Sequence, residues 1–385
     1  MSSLSDNEKV LISELLEPGT DLPLKPYHLS ENEWLDLDPN SVILLKEAQK
    51  RGFLTDCLVA DGVSNAPLKA WRKLKTHQAL KPWLMLQTHH SRFLHRQGML
   101  FKISDGQTLK HINGIAATIT QRKSLTKSFL EALSVPCPQG VCFRNNEASL
   151  AEAWFRTWQQ PVCLKPDRGQ EGILVYPHID RISHFRQVFE LIAQHYSDIM
   201  VEESFPGEVY RYFYVKPRVV ALKWSRPASV KGDGVQNIES LIAAKNQARQ
   251  ERQVPGHKPI QINPSLHLCL GHQGRDLSYV PAKDERCYVQ FVSNGAMGAD
   301  SIAAEAHPSY TQLIEKACQR FPELQIASVD VMLKYPDQVA RPENYRVLEI
   351  NSSGGIAPFH YLWEGPGYDV CGPLLDLLVQ MDVAH

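Results

Sequence analysis

The chain has 385 residues, 43% of them hydrophobic, enough to bury a sizeable core and to divide into two or three domains. Its 41 lysines and arginines nearly cancel 42 aspartates and glutamates, so no global field selects a polyanion such as DNA, and phosphate binding has to come from local geometry. The eight cysteines are scattered without a CxxC pair or zinc spacing, the segment 1–17 lacks the basic start and apolar core of a secretion signal, and no apolar run reaches the length of a membrane span. The composition therefore leads us to expect a cytoplasmic protein with reduced thiols and neither nucleic acid nor membrane as partner.

In chain order, the first clear element begins at Ser41, where SVILLKEAQKRG predicts an amphipathic helix stopped at Gly52. Strands are expected at residues 57–60 and 83–87. The region to 119 reads as short strands alternating with helices, which makes residues 1–120 an N-terminal α/β domain. A helix from Ser124 ends before Val135-Pro136-Cys137-Pro138, where two prolines forbid its continuation. Further helices are predicted over 148–159, 184–195, 241–251 and 310–320. Strands are predicted over 161–166, 173–176, 199–203, 288–292, 327–333 and 345–350, with a hairpin pair over 209–220. The short basic run 72–75, the histidines His89, His90 and His95, and the pair Trp71 and Trp83 read as a solvated helix face and core packing.

Three groups of residues point to phosphate chemistry. Lys165 at a strand end, followed by the glycine-bearing loop 167–172, can bring an ammonium and backbone N–H groups around a triphosphate; it is not a Walker A loop, since no Gly-Lys-Ser/Thr follows. In VEESFPGE, carboxylates at a strand end and after a turn can accept hydrogen bonds from ribose hydroxyls while the strand-end backbone reads an adenine edge. Asp330 in an apolar strand is costly without a partner. Glu349 and Asn351 share a face of the following strand, so an acid and an amide oxygen can converge with Asp330 into an all-oxygen set suited to Mg²⁺.

In sequence order, these residues resemble the ATP-grasp ligases, in particular the branch containing cyanophycin synthetase and the bifunctional bacterial glutathione synthetase. The resemblance runs from Arg122 to Gly365 and rests on seven ordered fragments. They are RKSLTKSFLEALSVPCPQG with Lys123, VCLKPDRGQEGILV with Lys165, VEESFPGEVYR, SRPASVKGDGVQNIESLIAAKN with Arg226, SNGAMGADSIAAEAHPS with Asn294 and Gly298, ASVDVML, and LEINSSGG.

The resemblance implies a mixed α/β and α+β fold, in which two α+β lobes (residues 121–205 and 206–385) clasp ATP behind the N-terminal α/β domain. Lys123 and Lys165 would contact nucleotide phosphates, and the loop with Gly169 and Gly172 would close over them. Glu202 and Glu208 would hold adenine and ribose, with Glu203 beside them. Asp330, Glu349 and Asn351 would hold magnesium, two ions in this family, with manganese able to substitute. Arg226 would stabilise the transferring phosphoryl group or the tetrahedral intermediate, or clamp a substrate carboxylate; Arg211 is a second candidate. Asn294, Gly298 and His360 would face the substrates. Gln290, with Arg286 further back, departs from an arginine in the family pattern, and the proline-glycine after the metal asparagine is replaced by Ser352-Ser353-Gly354-Gly355.

The activity implied is ADP-forming ligation of a small-molecule carboxylate to an amine through an acyl phosphate, with a homodimer compatible. The lone ATP-grasp unit lacks the second ligase domain of its namesakes, so it is expected to be neither. The rival expectations are an ATP-grasp kinase, a protein-modifying ligase, and a non-catalytic nucleotide-binding regulator.

Overall fold

A computed structural model describes residues 24–27, 38–60, 83–88, 91–96, 98–104, 108–169, 172–254 and 256–383. The expectations for Trp71, the run 72–75, His89, His90, Gln170 and Glu171 fall outside them.

The first helix, α1 (Pro39–Lys50), begins where Asp38 can cap it, its carboxylate accepting from the Asn40 and Ser41 amides at 3.1 and 3.2 Å. Pro39 occupies the first turn, where a missing N–H costs nothing. The helix stops as expected at Gly52, whose φ of +78° lets the Phe53 amide fold back onto the Ala48 carbonyl.

Beside α1 lies a six-stranded antiparallel meander: β1 (Leu24–Tyr27), β2 (Leu54–Ala60), β3 (Trp83–Gln87), β4 (Arg92–Arg96), β5 (Met99–Ser104) and β6 (Thr108–His111), paired in sequence order. This corrects the expected alternation of strands and helices up to residue 119. Residues 83–111 contain four successive strands, because Gly98 at φ +85° closes a tight hairpin instead of admitting a helix. The meander shares its core with distant parts of the chain: Leu84, Phe93 and Leu100 pack with Leu44 of α1, with Phe213, and with Leu374 and Leu375 of the last helix, α8 (Cys371–Val383).

Residues 123–203 build a second sheet. Its strands β7 (Gly140–Arg144), β8 (Val162–Pro166), β9 (Tyr176–Ile179) and β10 (Asp198–Glu203) lie in the order β7-β10-β8-β9, with α2 (Lys123–Ala132) leading in. The sheet packs against α3 (Ala148–Trp158) and α4 (Ile182–Ala193) through Phe185, Phe189 and Val201. The strand expected at 173–176 starts only at Tyr176, because residues 172–174 turn with Leu174 at φ +55°.

The third sheet comes from β11 (Glu208–Val215) and β12 (Arg218–Arg226), then, beyond the ribbon β13 (Ser229–Lys231) and β14 (Arg286–Tyr288), β15 (Asp300–Ala303), β16 (Ile326–Leu333) and β17 (Tyr345–Asn351). Its order is β15-β12-β11-β16-β17, antiparallel throughout. The ribbon packs with α5 (Ile238–Arg252) and α6 (Pro264–His272). One face of the five-stranded sheet packs Tyr210, Tyr212, Val329, Val331 and Val347 against α7 (Pro308–Arg320).

A single irregularity sets what the other face carries. Asp330 pairs with Glu349 but Val331 pairs with Val347, so Leu348 is an extra residue in β17. The bulge reverses the alternation of side chains. Val347 can therefore face the α7 core while Glu349 faces the opposite side with Asp330.

Acid sensitivity follows from the first core. His95 is buried beside α1, with Nδ1 2.9 Å from the Ser41 hydroxyl and Nε2 without a hydrogen-bond partner among the described residues. Burial pushes its pKa down to about 4, and that of His111 to about 4 as well. Both rings stay neutral in the fold while the unfolded chain takes up protons near pH 6.5. Stability is thus present above about pH 6.5 and lost as the pH falls toward 4, by about 3 kcal/mol for His95. Urea midpoints should fall steadily across that window and fall less in His95→Gln; a midpoint unchanged from pH 7 to 4.5 would contradict this.

Candidate active site

Helix α2 has no cap of its own, since Arg122 at its N-cap makes no side-chain bond to the helix. Asp167, fully buried just after β8, takes the role from across the fold. Its carboxylate accepts from the Ser124 amide at 2.7 Å, the Ser124 hydroxyl at 3.0 Å and Arg122 Nε at 3.1 Å, where it also meets the positive end of the helix dipole. The loop after β8 is thereby fastened to α2, and Lys123 Nζ donates to the Gly169 carbonyl at 3.0 Å.

One turn further on, Lys127 points at β10. The Glu202 carboxylate is gripped from both sides, by Lys127 Nζ at 2.8 Å and Lys165 Nζ at 2.5 Å. Burial works against the charge on Lys165, but Glu202 outweighs it and holds the ammonium pKa above its ordinary value. The converse holds at Glu202, where the two lysines overcome burial and hold the carboxyl pKa low.

Glu202, expected at adenine, has both its oxygens committed to lysines. Glu203 is likewise committed: Arg346 of β17 takes its two oxygens at 2.9 and 3.2 Å while stacking over Phe205 at 4.4 Å. Glu208 remains exposed at the start of β11, its pKa raised by partial burial against the opposing charge of Arg226.

Across the five-stranded sheet, register brings Lys223, Arg211, Asp330 and Glu349 into one transverse row on one face. Arg211 grips both oxygens of Asp330. Burial opposes the Asp330 charge, but Arg211 keeps its pKa low. Glu349 is pushed the other way, by burial and then by the like charge of Asp330, with Lys123 opposing. Lys223 donates to Ser301 Oγ at 2.8 Å and Ser225 Oγ at 3.1 Å, and burial with the nearby Arg211 charge lowers its pKa to about 7.

Two adjacent acids that repel each other, with the Asn351 amide oxygen two residues on, form a hard oxygen set that suits magnesium completed by phosphate and water. Among the described residues no group of three or more His, Cys, Asp or Glu side chains is placed to hold a metal ion. The Asn351 oxygen accepts the Ser353 amide at 3.2 Å.

Two expected site residues lie elsewhere. Arg226 is three residues from Lys223 on β12, so the pleat sends it to the face opposite Asp330. There it pairs with buried Asp300 at 3.0 Å and with Glu364. His360 ends the short helix Ala357–His360 exposed, with its ring against Tyr361 and under the charges of Asp369, Lys50 and Glu47, on the α1 side.

Asn294 sits beside Gly172, where a Cβ would come within 3.4 Å of the Asn294 side chain, and so joins the loop of the second sheet to the third. Gly298 lies against Arg249 and Ile260. Gln290 is buried, accepting from Ser265 Oγ at 3.3 Å, and Arg286 donates to Ser229 Oγ.

Sequence reasoning missed Lys127, the capping role of Asp167, Lys223, and the group around Asp300. Lys127 was findable, being four residues after Lys123 and thus on the same helical face. Asp300 was not, because its partners come from positions 226, 245 and 249.

No protein-family model matches the chain. It is 25% identical over 294 residues to the bifunctional glutathione biosynthesis protein of Clostridium perfringens, covering 72% of this chain and 37% of that protein. It is 26% identical over 309 residues to the cyanophycin synthetase of Synechocystis, covering 77% of this chain and 34% of that protein. The crystal structure of a bifunctional glutathione synthetase from Pasteurella multocida superposes with a TM-score of 0.58 at 22% identity, over 92% of this chain and 45% of that one. The chain has the ATP-grasp fold. It spans little more than a third of the length of these curated relatives.

In this chain, Glu202→Gln would leave two buried ammonium groups facing an uncharged amide. Loss of one member of a buried charge group costs roughly 3–5 kcal/mol. The unfolding free energy from denaturant titration should drop on that scale; a drop below about 1 kcal/mol, the range of an exposed pair, would show that Glu202 is not the counter-ion described.

Proposed function

We propose that the chain is an ATP-dependent, ADP-forming carboxylate–amine ligase, making an amide or peptide bond through an acyl phosphate on amino acids, short peptides or related metabolites. The observation that carries this reading is the convergence of Lys123 and Lys165 with the Asp330–Glu349 pair: α2 packs against β17, and the Glu349 charge acts on both Lys123 of α2 and Lys165 of β8. The names of the relatives, a glutathione biosynthesis protein and a cyanophycin synthetase, support it.

In this reading Lys123 and Lys165 neutralise phosphate oxygens, and the stretch around Gly169 and Gly172 covers them. Asp330, Glu349 and Asn351 hold magnesium, which when bound offsets negative charge between the phosphoryl groups. Arg211, on the same face, takes the role at the transferring phosphoryl group that was expected of Arg226. Its bond to Asp330 fixes the guanidinium before substrate arrives, so little ordering remains to be done in the transition state. Glu208, three residues before Arg211 and under the charge of Arg226, falls on the other face of β11, so the ribose contact expected of it is not part of this reading. Two magnesium ions, replaceable by manganese, division at residues 120 and 205, a cytoplasmic location and a homodimer belong to the same reading; the eight cysteines are free thiols, and among the described residues no helix is long and apolar enough to cross a membrane.

The test is incubation with ATP, Mg²⁺ and mixed amino acids and dipeptides, with condensed products sought by mass spectrometry alongside ADP. Lys165→Ala and Glu349→Gln should each cut kcat by about 100-fold or more. Turnover at the wild-type rate in either variant overturns the reading.

A further inference from the structure

The residues after Asn351, Ser352-Ser353-Gly354-Gly355, stand where the family pattern has a proline-glycine. No pyrrolidine ring therefore fixes the backbone beside Asn351, and two glycines loosen it further. Asn351 is itself exposed, and its side-chain oxygen is held by the Ser353 amide at 3.2 Å. Whatever moves Ser353 moves that oxygen.

Order in this loop comes from the other end of the chain. Gly98, at the turn between β4 and β5, faces the Ser353 backbone: a Cβ built there would overlap the Ser353 carbonyl oxygen and lie 2.9 Å from its carbon and 3.1 Å from the Gly354 oxygen. Asn113, fully buried after β6, bridges two segments of the third sheet. Its amide nitrogen donates to the Ser352 carbonyl at 2.9 Å and the Ile326 carbonyl at 3.0 Å, while its oxygen accepts the Gln325 and Ile326 amides at 2.8 and 2.9 Å. One side chain thus ties the start of β16 to the end of β17. The Thr120 hydroxyl lies 2.8 Å from that of Ser352, and past the loop the Asn40 oxygen accepts the Ala357 amide at 2.8 Å.

The third sheet closes the remaining side. A Cβ on Gly354 would come within 2.7 Å of the Ser328 amide nitrogen, and Ser328 is the partner of Asn351 in the β16–β17 register. The meander already has an apolar core with Phe213 and α8. Its polar and backbone contacts converge instead on the few residues that follow one exposed amide side chain.

We propose that Gly98, Asn113 and Thr120 are positioning residues for Asn351: through them the N-terminal meander fixes the loop 352–355 and aims the Asn351 oxygen, so that the magnesium site of the third sheet is complete only with the N-terminal sheet in place. The inference rests on the reading of Asn351 as a magnesium ligand. Magnesium demands near-octahedral geometry, so a small shift of one oxygen weakens the hold on the ion while the lysines that face the phosphates stay where they are. Contacts between distant parts of the chain here do what a proline does locally.

The test is Gly98→Ala in the full chain, with Gly52→Ala as its control. Both positions have positive φ, +85° and +78°, but a Cβ on Gly52 meets open space among the described residues. Both variants carry backbone strain, and only the first displaces Ser353. Hydrogen exchange is followed by mass spectrometry over peptides spanning 351–357, and ATP binding is measured calorimetrically at limiting and at saturating Mg²⁺. Gly98→Ala should exchange faster over 351–357 and bind ATP roughly tenfold more weakly at limiting Mg²⁺, the scale seen when a group supporting a metal ligand is lost. Raising Mg²⁺ should restore its binding toward wild type, and Gly52→Ala should match wild type throughout. Should Gly98→Ala fail to fold, Thr120→Val, which removes one hydroxyl and keeps the shape of the side chain, carries the same expectation at several-fold.

Unchanged exchange over 351–357, a loss of ATP affinity that added Mg²⁺ does not relieve, or the same effects in Gly52→Ala overturns the proposal. Asn351→Ala is titrated alongside. If it binds ATP as wild type does at limiting Mg²⁺, the magnesium reading fails and this role with it; if it weakens binding while Gly98→Ala and Thr120→Val do not, the positioning role alone fails.

Discussion

Glu202 is the charge on which the proposed phosphate side of this molecule depends. A lysine ammonium in a dry cleft is unstable unless an anion meets it, and Lys165 and Lys127 both lie deep between the second sheet and α2. By taking one lysine on each oxygen, the Glu202 carboxylate lets the fold keep two cations where only one would otherwise be tolerated. Asp167 completes the arrangement at the next level: capping α2 from the end of β8, it holds the helix bearing Lys123 and Lys127 against the strand bearing Lys165. The lysines are thus placed by acids that themselves have no part in the proposed chemistry.

The third sheet solves a different problem, that of carrying acids, cations and a hydrophobic core on the same few strands. Alternation separates them by face. Tyr210, Tyr212, Val329 and Val331 build the core against α7, and Arg211, Asp330 and Lys223 point the other way. On β17 simple alternation would have put Glu349 in line with Val347; the one-residue bulge at Leu348 reverses the phase and brings Glu349 beside Asp330. The same two-sidedness parts Arg226 from Arg211. Both are arginines on neighbouring strands and both bind an aspartate, yet one belongs to the phosphate face and the other to the cluster around Asp300.

Periodicity and punctuation in the sequence determined the helices of α1 to α5 and α7, the strand ends carrying Lys165 and Glu349, and the candidate acids and lysines themselves. These depend on local rules: a cap at Asp38, a stop at Gly52, prolines after α2, apolar runs of strand length. The mixed fold of the resemblance was legible for the same reason, since its fragments keep their order along the chain. Only the tertiary structure decided which charges meet. The pairing of Glu202 with Lys127 and Lys165 was hidden because these lysines are not its neighbours in sequence. Whether Arg226 stood at the phosphates or clamped a carboxylate stayed open, because strand register, not composition, chooses the face. The meander of residues 83–111 and its core shared with Phe213 and α8 were equally hidden. A contact between residues far apart in the chain leaves no periodic trace in either segment, and it becomes real only when the strands that carry them take up their register.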